Sequence, residues 1–207
     1  MNLHGLEGDA VLFDCDGVLV DSEPLSWMAW STTMAAHGAV LDEGRYRALI
    51  GGTEAMVAAR FGSEVGADPE SLEREARRAF DGMVGEAKAY EDALDLVDRL
   101  EAANVPIAVA TNGLRWRLDS LLTAVGLDRL LPNSVTADEV AHPKPAPDLY
   151  EKAARVVGVP PDRCLVIEDS PTGVAAAGAA GCKVIAVDRG MFERSQLIGA
   201  EVIVDRV

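Results

Sequence analysis

Positive charge is scarce in this chain. Its 207 residues hold 19 Lys and Arg against 34 Asp and Glu, a formal net charge of −15, and only Lys88, Lys144, Lys152 and Lys183 are lysines. Such a chain repels nucleic-acid phosphates and anionic lipid, so neither is an expected partner. An anionic ligand would need a local cation or a metal to reverse the field at its site. Cysteine is rarer still. Cys15, Cys164 and Cys182 are odd in number and lack CxxC spacing, which argues against a disulfide or zinc framework and for buried thiols in a reducing compartment. No apolar run reaches the length of a membrane span, since the most apolar stretch, 173–187, is broken by Gly178, Gly181 and Lys183. Residues 1–9 carry two acids, no Lys or Arg and no apolar segment; this is not a secretory signal, and the expected location is cytoplasmic. What remains is ordinary folded composition, 49% hydrophobic and 26% charged, long enough for one large domain or two unequal ones.

Short apolar runs bounded by turn residues recur at Ala10–Phe13, 106–110, 164–167, Lys183–Val187 and Val202–Val204, with a weaker one at 134–136. Consecutive apolar positions, partly β-branched, are the pattern of strands buried on both faces of a parallel sheet. Helical spacing separates them: Leu94, Val97 and Leu100; Tyr150, Ala153, Ala154 and Val157; and a small-residue helix from Pro171 stopped by Gly181. The alternation predicts an α/β, doubly wound parallel-sheet core. One block breaks it. From 23 to 91 the chain shows helix-like stretches (27–37, 42–49, 54–61, 69–87), punctuated by Gly51-Gly52 and Gly66-Ala67-Asp68-Pro69, and no strand. It reads as an inserted α-helical domain, 23–91, in a core made of 1–22 and 92–207.

Four segments carry chemistry. In Val11-Leu12-Phe13-Asp14-Cys15-Asp16-Gly17 an apolar strand runs into two acids and a turn, placing both carboxylates where open α/β sheets hold ligands. Close carboxylates repel unless a cation bridges them or one takes a proton. They read as nucleophile or metal ligand and acid/base, against the alternative of a solvated acidic turn. Cys164-Leu165-Val166-Ile167-Glu168-Asp169-Ser170 repeats the arrangement. Helix capping by Asp169 or Ser170 explains part of it, but two acid-tipped strands make an oxygen-rich site suited to Mg²⁺. Thr111-Asn112-Gly113 ends a third strand with a hydroxyl and backbone N–H groups for a phosphoryl oxygen, and Lys144 sits in the stiff loop Pro143-Lys144-Pro145-Ala146-Pro147.

In this order the four segments resemble the haloacid dehalogenase (HAD) superfamily, with Asp14-x-Asp16, Thr111, Lys144 and Glu168-Asp169 as its motifs. The run from Asp16 to Glu23 and the segment 143–150 are most similar to its β-phosphoglucomutase-like phosphatase branch, which inserts a helical cap after the first motif. The resemblance implies two-step phosphoryl transfer: Asp14 as nucleophile, Asp16 as acid and then base, and Thr111, Asn112 and Lys144 on the phosphoryl oxygens. It implies a Mg²⁺ cofactor held by Asp14, the Asp16 carbonyl, Glu168 and Asp169. The hexose-phosphate mutases of that branch carry a cap His and a cap Arg where this chain has Ser26 and Glu54, next to Gly52. Glu54 and Gly52 are therefore candidate substrate residues, suited to hydroxyls or an amine distal to the phosphate.

The expected activity is that of a Mg²⁺-dependent phosphatase acting on a small phosphorylated metabolite, a sugar or polyol phosphate, in a monomer or weak homodimer. The alternatives are a sugar phosphomutase and, from another class, a non-catalytic HAD-like binding protein. Dehalogenation has no need of Asp16, and a phosphonatase would need a lysine between 22 and 87, where there is none. Cys15 is expected to pack in the core, His37 and His142 to be surface residues, and Trp27 and Trp30 to pack between cap and core rather than line a pocket.

Overall fold

Four apolar residues in a row, Ala10–Phe13 (β1), form the central strand of the computed structural model, which describes residues 1–50 and 52–207. The other core strands are Ile107–Ala110 (β2), Ser134–Val135 (β3), Cys164–Glu168 (β4), Lys183–Val187 (β5) and Val202–Val204 (β6). They make one parallel sheet in the order β6-β5-β4-β1-β2-β3. Strand alternation splits the core in two. Val11 and Phe13 join one apolar cluster, while Ala10 and Leu12 join another, on opposite faces of the sheet. Helices Glu91–Ala102 (α5) and Arg115–Ala124 (α6) cover the first face; Asp148–Val157 (α7) and Pro171–Ala179 (α8) cover the second. Each fully buried Leu, Val or Phe contributes roughly 1.5–3 kcal/mol, so this two-sided burial carries the fold. Cys15 lies in the first cluster, as expected.

The chain steps outward from β1 to β2 and β3, then returns to β4 on the other flank of β1. Strand order reverses there, and ligand sites in such sheets open at the carboxyl ends beside the reversal.

Residues 23–81 fold as Glu23–Ala36 (α1), Glu43–Arg47 (α2), Glu54–Val65 (α3) and Pro69–Asp81 (α4). The side chains of Asp42, Thr53 and Asp68 cap the last three by accepting a backbone N–H. Trp30, Met34, Phe61 and Leu72 anchor a separate small core, with Trp30 and Phe61 edge to face at 5.5 Å. Two expectations are corrected. The helix from Pro69 ends at Asp81, capped by Gly82, and 84–86 is a single 3-10 turn. The stretch 23–91 also contains a strand, Lys88–Ala89, which pairs antiparallel with Val20–Asp21. Two residues carry no readable period, and this ribbon ties together the two connections that join the helical block to the sheet. No helix among the described residues is long and apolar enough to cross a membrane.

Candidate active site

The register β1–β4 pairs Phe13 with Ile167, and the Asp14 N–H continues the ladder by donating to the Ile167 carbonyl at 3.0 Å. Asp14 thus leaves the sheet beside Glu168, and Thr111 leaves it on the other flank of β1 from the end of β2. Gly17 turns the chain at φ +79°, and the amides of Leu19 and Val20 fold back onto the Cys15 carbonyl at 2.9 and 3.0 Å. A Cβ on Gly17 would overlap the Asp169 carboxylate. The glycine therefore serves two ends, a left-handed turn and the close approach of an acid. Gly17→Ala is expected to destabilise the protein well beyond Gly38→Ala, a site of similar φ (+76°) with nothing within 4 Å. Both substitutions carry the about 1–2 kcal/mol of left-handed backbone; urea unfolding reads the excess at Gly17, and equal losses would contradict the close approach.

Lys144 is the electrostatic centre. Its Nζ lies 2.9 Å from Asp14 Oδ1 and 2.6 Å from Glu168 Oε1, over the Tyr150 ring at 4.8 Å. The loop that delivers it is held by Asn112: Oδ1 accepts the Lys144 N–H at 2.8 Å, and Nδ2 donates to the Lys144 carbonyl at 3.3 Å. The Asn112 side chain thus positions the cation. Burial acts against the ammonium, yet the charges of Asp14 and Glu168 outweigh it and raise its pKa above the usual lysine range.

Glu168 is wholly buried, and both its oxygens are engaged. Oε1 accepts from Lys144 and, at 2.7 Å, from the Tyr150 hydroxyl; Oε2 accepts from the Asp169 and Ser170 amides and the Ser170 hydroxyl at 3.0–3.1 Å. Burial pushes its carboxyl up, but Lys144 and these donors hold it below the ordinary glutamate value. A Cβ on Gly173 would overlap this carboxylate, and Ser170 caps α8 by accepting the Gly173 N–H at 3.0 Å. Asp14 and Asp169 face the opposite balance. Burial, then the Glu168 charge, raises Asp14 to about 7 despite Lys144. Burial and the charges of Glu168 and Asp14 push Asp169 well above the usual range. Oxygens of Asp14, Glu168 and Asp169 lie within 4.8 Å of one another. Three buried carboxylates against one lysine leave an excess of negative charge and hard oxygen donors, which fits a divalent cation such as Mg²⁺.

Asp16 points to the other side of the site. Its Oδ1 accepts from Arg117 Nη2 at 2.7 Å and Nε at 3.3 Å and from the Ser22 hydroxyl, while Oδ2 meets the Thr111 hydroxyl at 3.5 Å. Burial acts upward on Asp16, but Arg117 and Ser22 outweigh it and lower its pKa. Arg117 is 9% exposed, lies on the Phe80 ring at 4.3 Å, donates to Ser26 Oγ at 2.8 Å and stands 3.7 Å from Glu54. It bridges the sheet's site and the helical block. Arg117, Ser22 and Tyr150 belong to the site but carry no functional motif of their own in the sequence. The available signal for Arg117 was a cation in the first turn of α6, where the helix dipole disfavours one.

A cavity of about 90 Å³ joins these groups. Asp14, Asp16, Thr111, Asn112, Lys144 and Asp169 line it from the sheet side, and Gly52 and Glu54 from the helical block. Gly51 lies outside the described residues. Trp30 also lines the cavity, whereas Trp27 packs edge to face on Tyr46 at 5.4 Å. His37 and His142 pair with Glu75 and Asp148 on the surface.

Paired acids at the switch point of a parallel sheet, with a buried lysine among them and helices beside them, suit an α/β-fold enzyme acting on phosphoryl groups. The haloacid dehalogenase-like hydrolase family matches residues 9–181. Validoxylamine A 7'-phosphate phosphatase of Streptomyces hygroscopicus subsp. limoneus is 36% identical over 175 residues, covering 82% of this chain and 81% of that protein. Hexitol phosphatase A of Escherichia coli (strain K12) is 35% identical over 184 residues, with 86% and 82% covered. The structure of CbbY from Rhodobacter sphaeroides in complex with phosphate matches at TM-score 0.87 and 29% identity, across 96% of this chain and 94% of that one. The chain belongs to the haloacid dehalogenase-like hydrolase family, and its named relatives place it among the phosphatases.

Proposed function

We propose that the protein is a Mg²⁺-dependent phosphatase of a small phosphorylated metabolite, a sugar or polyol phosphate, working through an aspartyl-phosphate on Asp14. The observation that carries this is the convergence of Asp14, Asp16, Lys144 and Asp169 on one cavity at the strand-order reversal. The relatives, named for validoxylamine 7'-phosphate and hexitol phosphates, support the substrate class.

The Asp14 carboxylate attacks phosphorus in line, forming a new P–O bond as the bond to the leaving oxygen breaks. Asp16, held as a carboxylate by Arg117 and Ser22 in the free protein, takes up the proton that the phosphate monoester brings as its monoanion and passes it from Oδ2 to that leaving oxygen. Arg117 on the other Asp16 oxygen makes the protonated acid stronger, so transfer to an alkoxide runs downhill. Asp16 then takes a proton from the water that attacks phosphorus, and the Asp14–phosphate bond breaks to release phosphate. Lys144, Thr111 and the backbone around Asn112 hold the other phosphoryl oxygens. Asp14, Asp169 and the Asp16 carbonyl would hold Mg²⁺, which would neutralise phosphoryl charge; Glu168, expected as a further ligand, has both oxygens taken by Lys144, Tyr150, Ser170 and the Asp169 amide and would act behind them, holding Lys144. Residues 23–91 act as a cap on the core of 1–22 and 92–207. A cavity of about 90 Å³ is below the ~300 Å³ usual for ligand sites, so cap residues lining it would have to move outward to admit a substrate.

The raised Asp14 pKa sets the sign of metal linkage. Below about 7 the native carboxyl keeps its proton and competes with the cation; above it, the carboxylate is ready. Mg²⁺ is therefore expected to raise the melting temperature more at about pH 8.5 than at about pH 5.5. Thermal unfolding with Mg²⁺ and with a chelator measures this; an increment independent of pH would contradict the assignment of Asp14 as ligand.

A further inference from the structure

Beside Asp16 and Arg117, the wall of the cavity carries two acids, Glu23 and Glu54, that phosphoryl transfer does not require. Asp16, Glu23, Glu54 and Arg117 all line it, three acids to one cation. Arg117 is buried, with Nε and Nη2 held by Asp16 and Ser26 and the Phe80 ring against its face, and its charge is answered by Asp16 at 2.7 Å and Glu54 at 3.7 Å. Three acids beside this one cation leave the wall net negative toward a second anion. Glu54 stands at the first position of α3, after its cap Thr53. One of its oxygens faces Arg117, while Oε2 is buried with no donor from another residue among the described residues. Glu23 leans on the Tyr46 hydroxyl at 3.0 Å. A buried carboxylate oxygen without a donor is costly, and a ligand that brings a hydroxyl or an ammonium relieves the cost. A second phosphate or a carboxylate brings acceptors of like charge and makes it worse.

Resting on the phosphatase reading above, we infer that this wall selects the leaving group. It takes neutral polyols and amino-polyols, whose O–H and N–H groups donate to Glu54 and Glu23, and it rejects substrates bearing a second anionic group. Glu54 is the specificity-determining residue and Glu23 its support. The pairing of Glu54 with Arg117 matters as much as its charge, because losing the carboxylate would free guanidinium charge for an incoming anion.

The test compares kcat/KM, with Mg²⁺, on p-nitrophenyl phosphate, an alditol monophosphate, an amino-hexose monophosphate and a hexose bisphosphate, for the wild type, Glu54→Gln and Glu23→Gln. The wild type is expected to favour the alditol and amino-hexose esters over the bisphosphate by about 100-fold or more, the scale of like charges brought together in a desolvated site. Glu54→Gln is expected to shrink that preference about tenfold and to lower the amino-hexose ester relative to the alditol ester; Glu23→Gln shifts both ratios in the same direction, by less. Each ratio is taken within one protein preparation, so a loss of folded enzyme cancels. If the wild type cleaves p-nitrophenyl phosphate but takes the bisphosphate within about threefold of the alditol ester, the inference falls and the phosphatase reading stands. It falls likewise if Glu54→Gln leaves the ratios unchanged. If no ester is cleaved, the phosphatase reading fails and this inference with it.

Discussion

Asp14→Asn is expected to lower phosphate release by at least about 10⁴-fold while the protein stays folded. The substitution keeps the shape of a residue that is only 8% exposed and whose backbone N–H extends the β1–β4 ladder. It removes the carboxylate that the proposed mechanism uses as nucleophile, which lies 2.9 Å from Lys144 Nζ. Stability moves the other way. Burial and Glu168 hold the Asp14 carboxyl at about 7, so above that pH the native state carries a buried charge that asparagine does not. A raised carboxyl pKa means the folded state binds the extra proton between the ordinary aspartate value and about 7, and its contribution declines as pH climbs through that window. The metal-free variant is therefore expected to melt no lower than the wild type at about pH 8. Activity that survives in Asp14→Asn, with the fold verified by circular dichroism, would mean another group attacks phosphorus.

Lys144→Met is expected to lose both activity and stability. Removing one donor from the phosphoryl oxygens costs about 10²–10³ in kcat. Stranding Glu168 and Asp14 in the interior without their cation costs about 3–5 kcal/mol, or roughly 6–20 °C in Tm for a chain of this size. Glu168 also sets the pH dependence. Its pKa is lowered in the native state by Lys144 and its donors, so its stabilisation is present above the unfolded value of about 4.3 and fades as pH falls below it. In the variant that benefit becomes a penalty, which protonation relieves, so the deficit narrows on acidification. Lys152→Met is the control. Lys152 is a third exposed and pairs with Glu139 at 3.4 Å, a contact worth about 0–1 kcal/mol. Equal losses at positions 144 and 152 would contradict the role given to the buried pair.

The sheet was legible because its strands announce themselves locally. Ala10–Phe13 and 184–187 are unbroken apolar runs with charged residues at their ends, and strands form where that pattern puts them. Paired acids after two such runs were enough to bring Asp14, Asp16 and Asp169 to one place, because the parallel register does the rest. What could not be read is whatever depends on partners distant in sequence. The ribbon of Val20–Asp21 with Lys88–Ala89 is two residues per strand, too short for any period. Arg117 looks like one more helical arginine until the fold carries it to Asp16, a residue 101 positions away. Glu168 and Asp169 are adjacent acids with the same chemistry in the sequence. The turn into α8 separates them by giving Glu168 the amides of Asp169 and Ser170 and leaving Asp169 against Gly17. By its spacing Tyr150 belongs to an apolar stripe, and it is buried, but its hydroxyl serves Glu168.

The most direct test of Asp14 as nucleophile is chemical trapping during turnover. The enzyme is quenched while hydrolysing p-nitrophenyl phosphate with Mg²⁺, reduced with borohydride, digested and mapped by mass spectrometry. An acyl phosphate on Asp14 is reduced to homoserine at that position, in samples with substrate and not in those without. Homoserine at position 14 alone is the result the account predicts. Phosphate release with Asp14 unmodified, or with the label on Asp16 or Asp169, would contradict it.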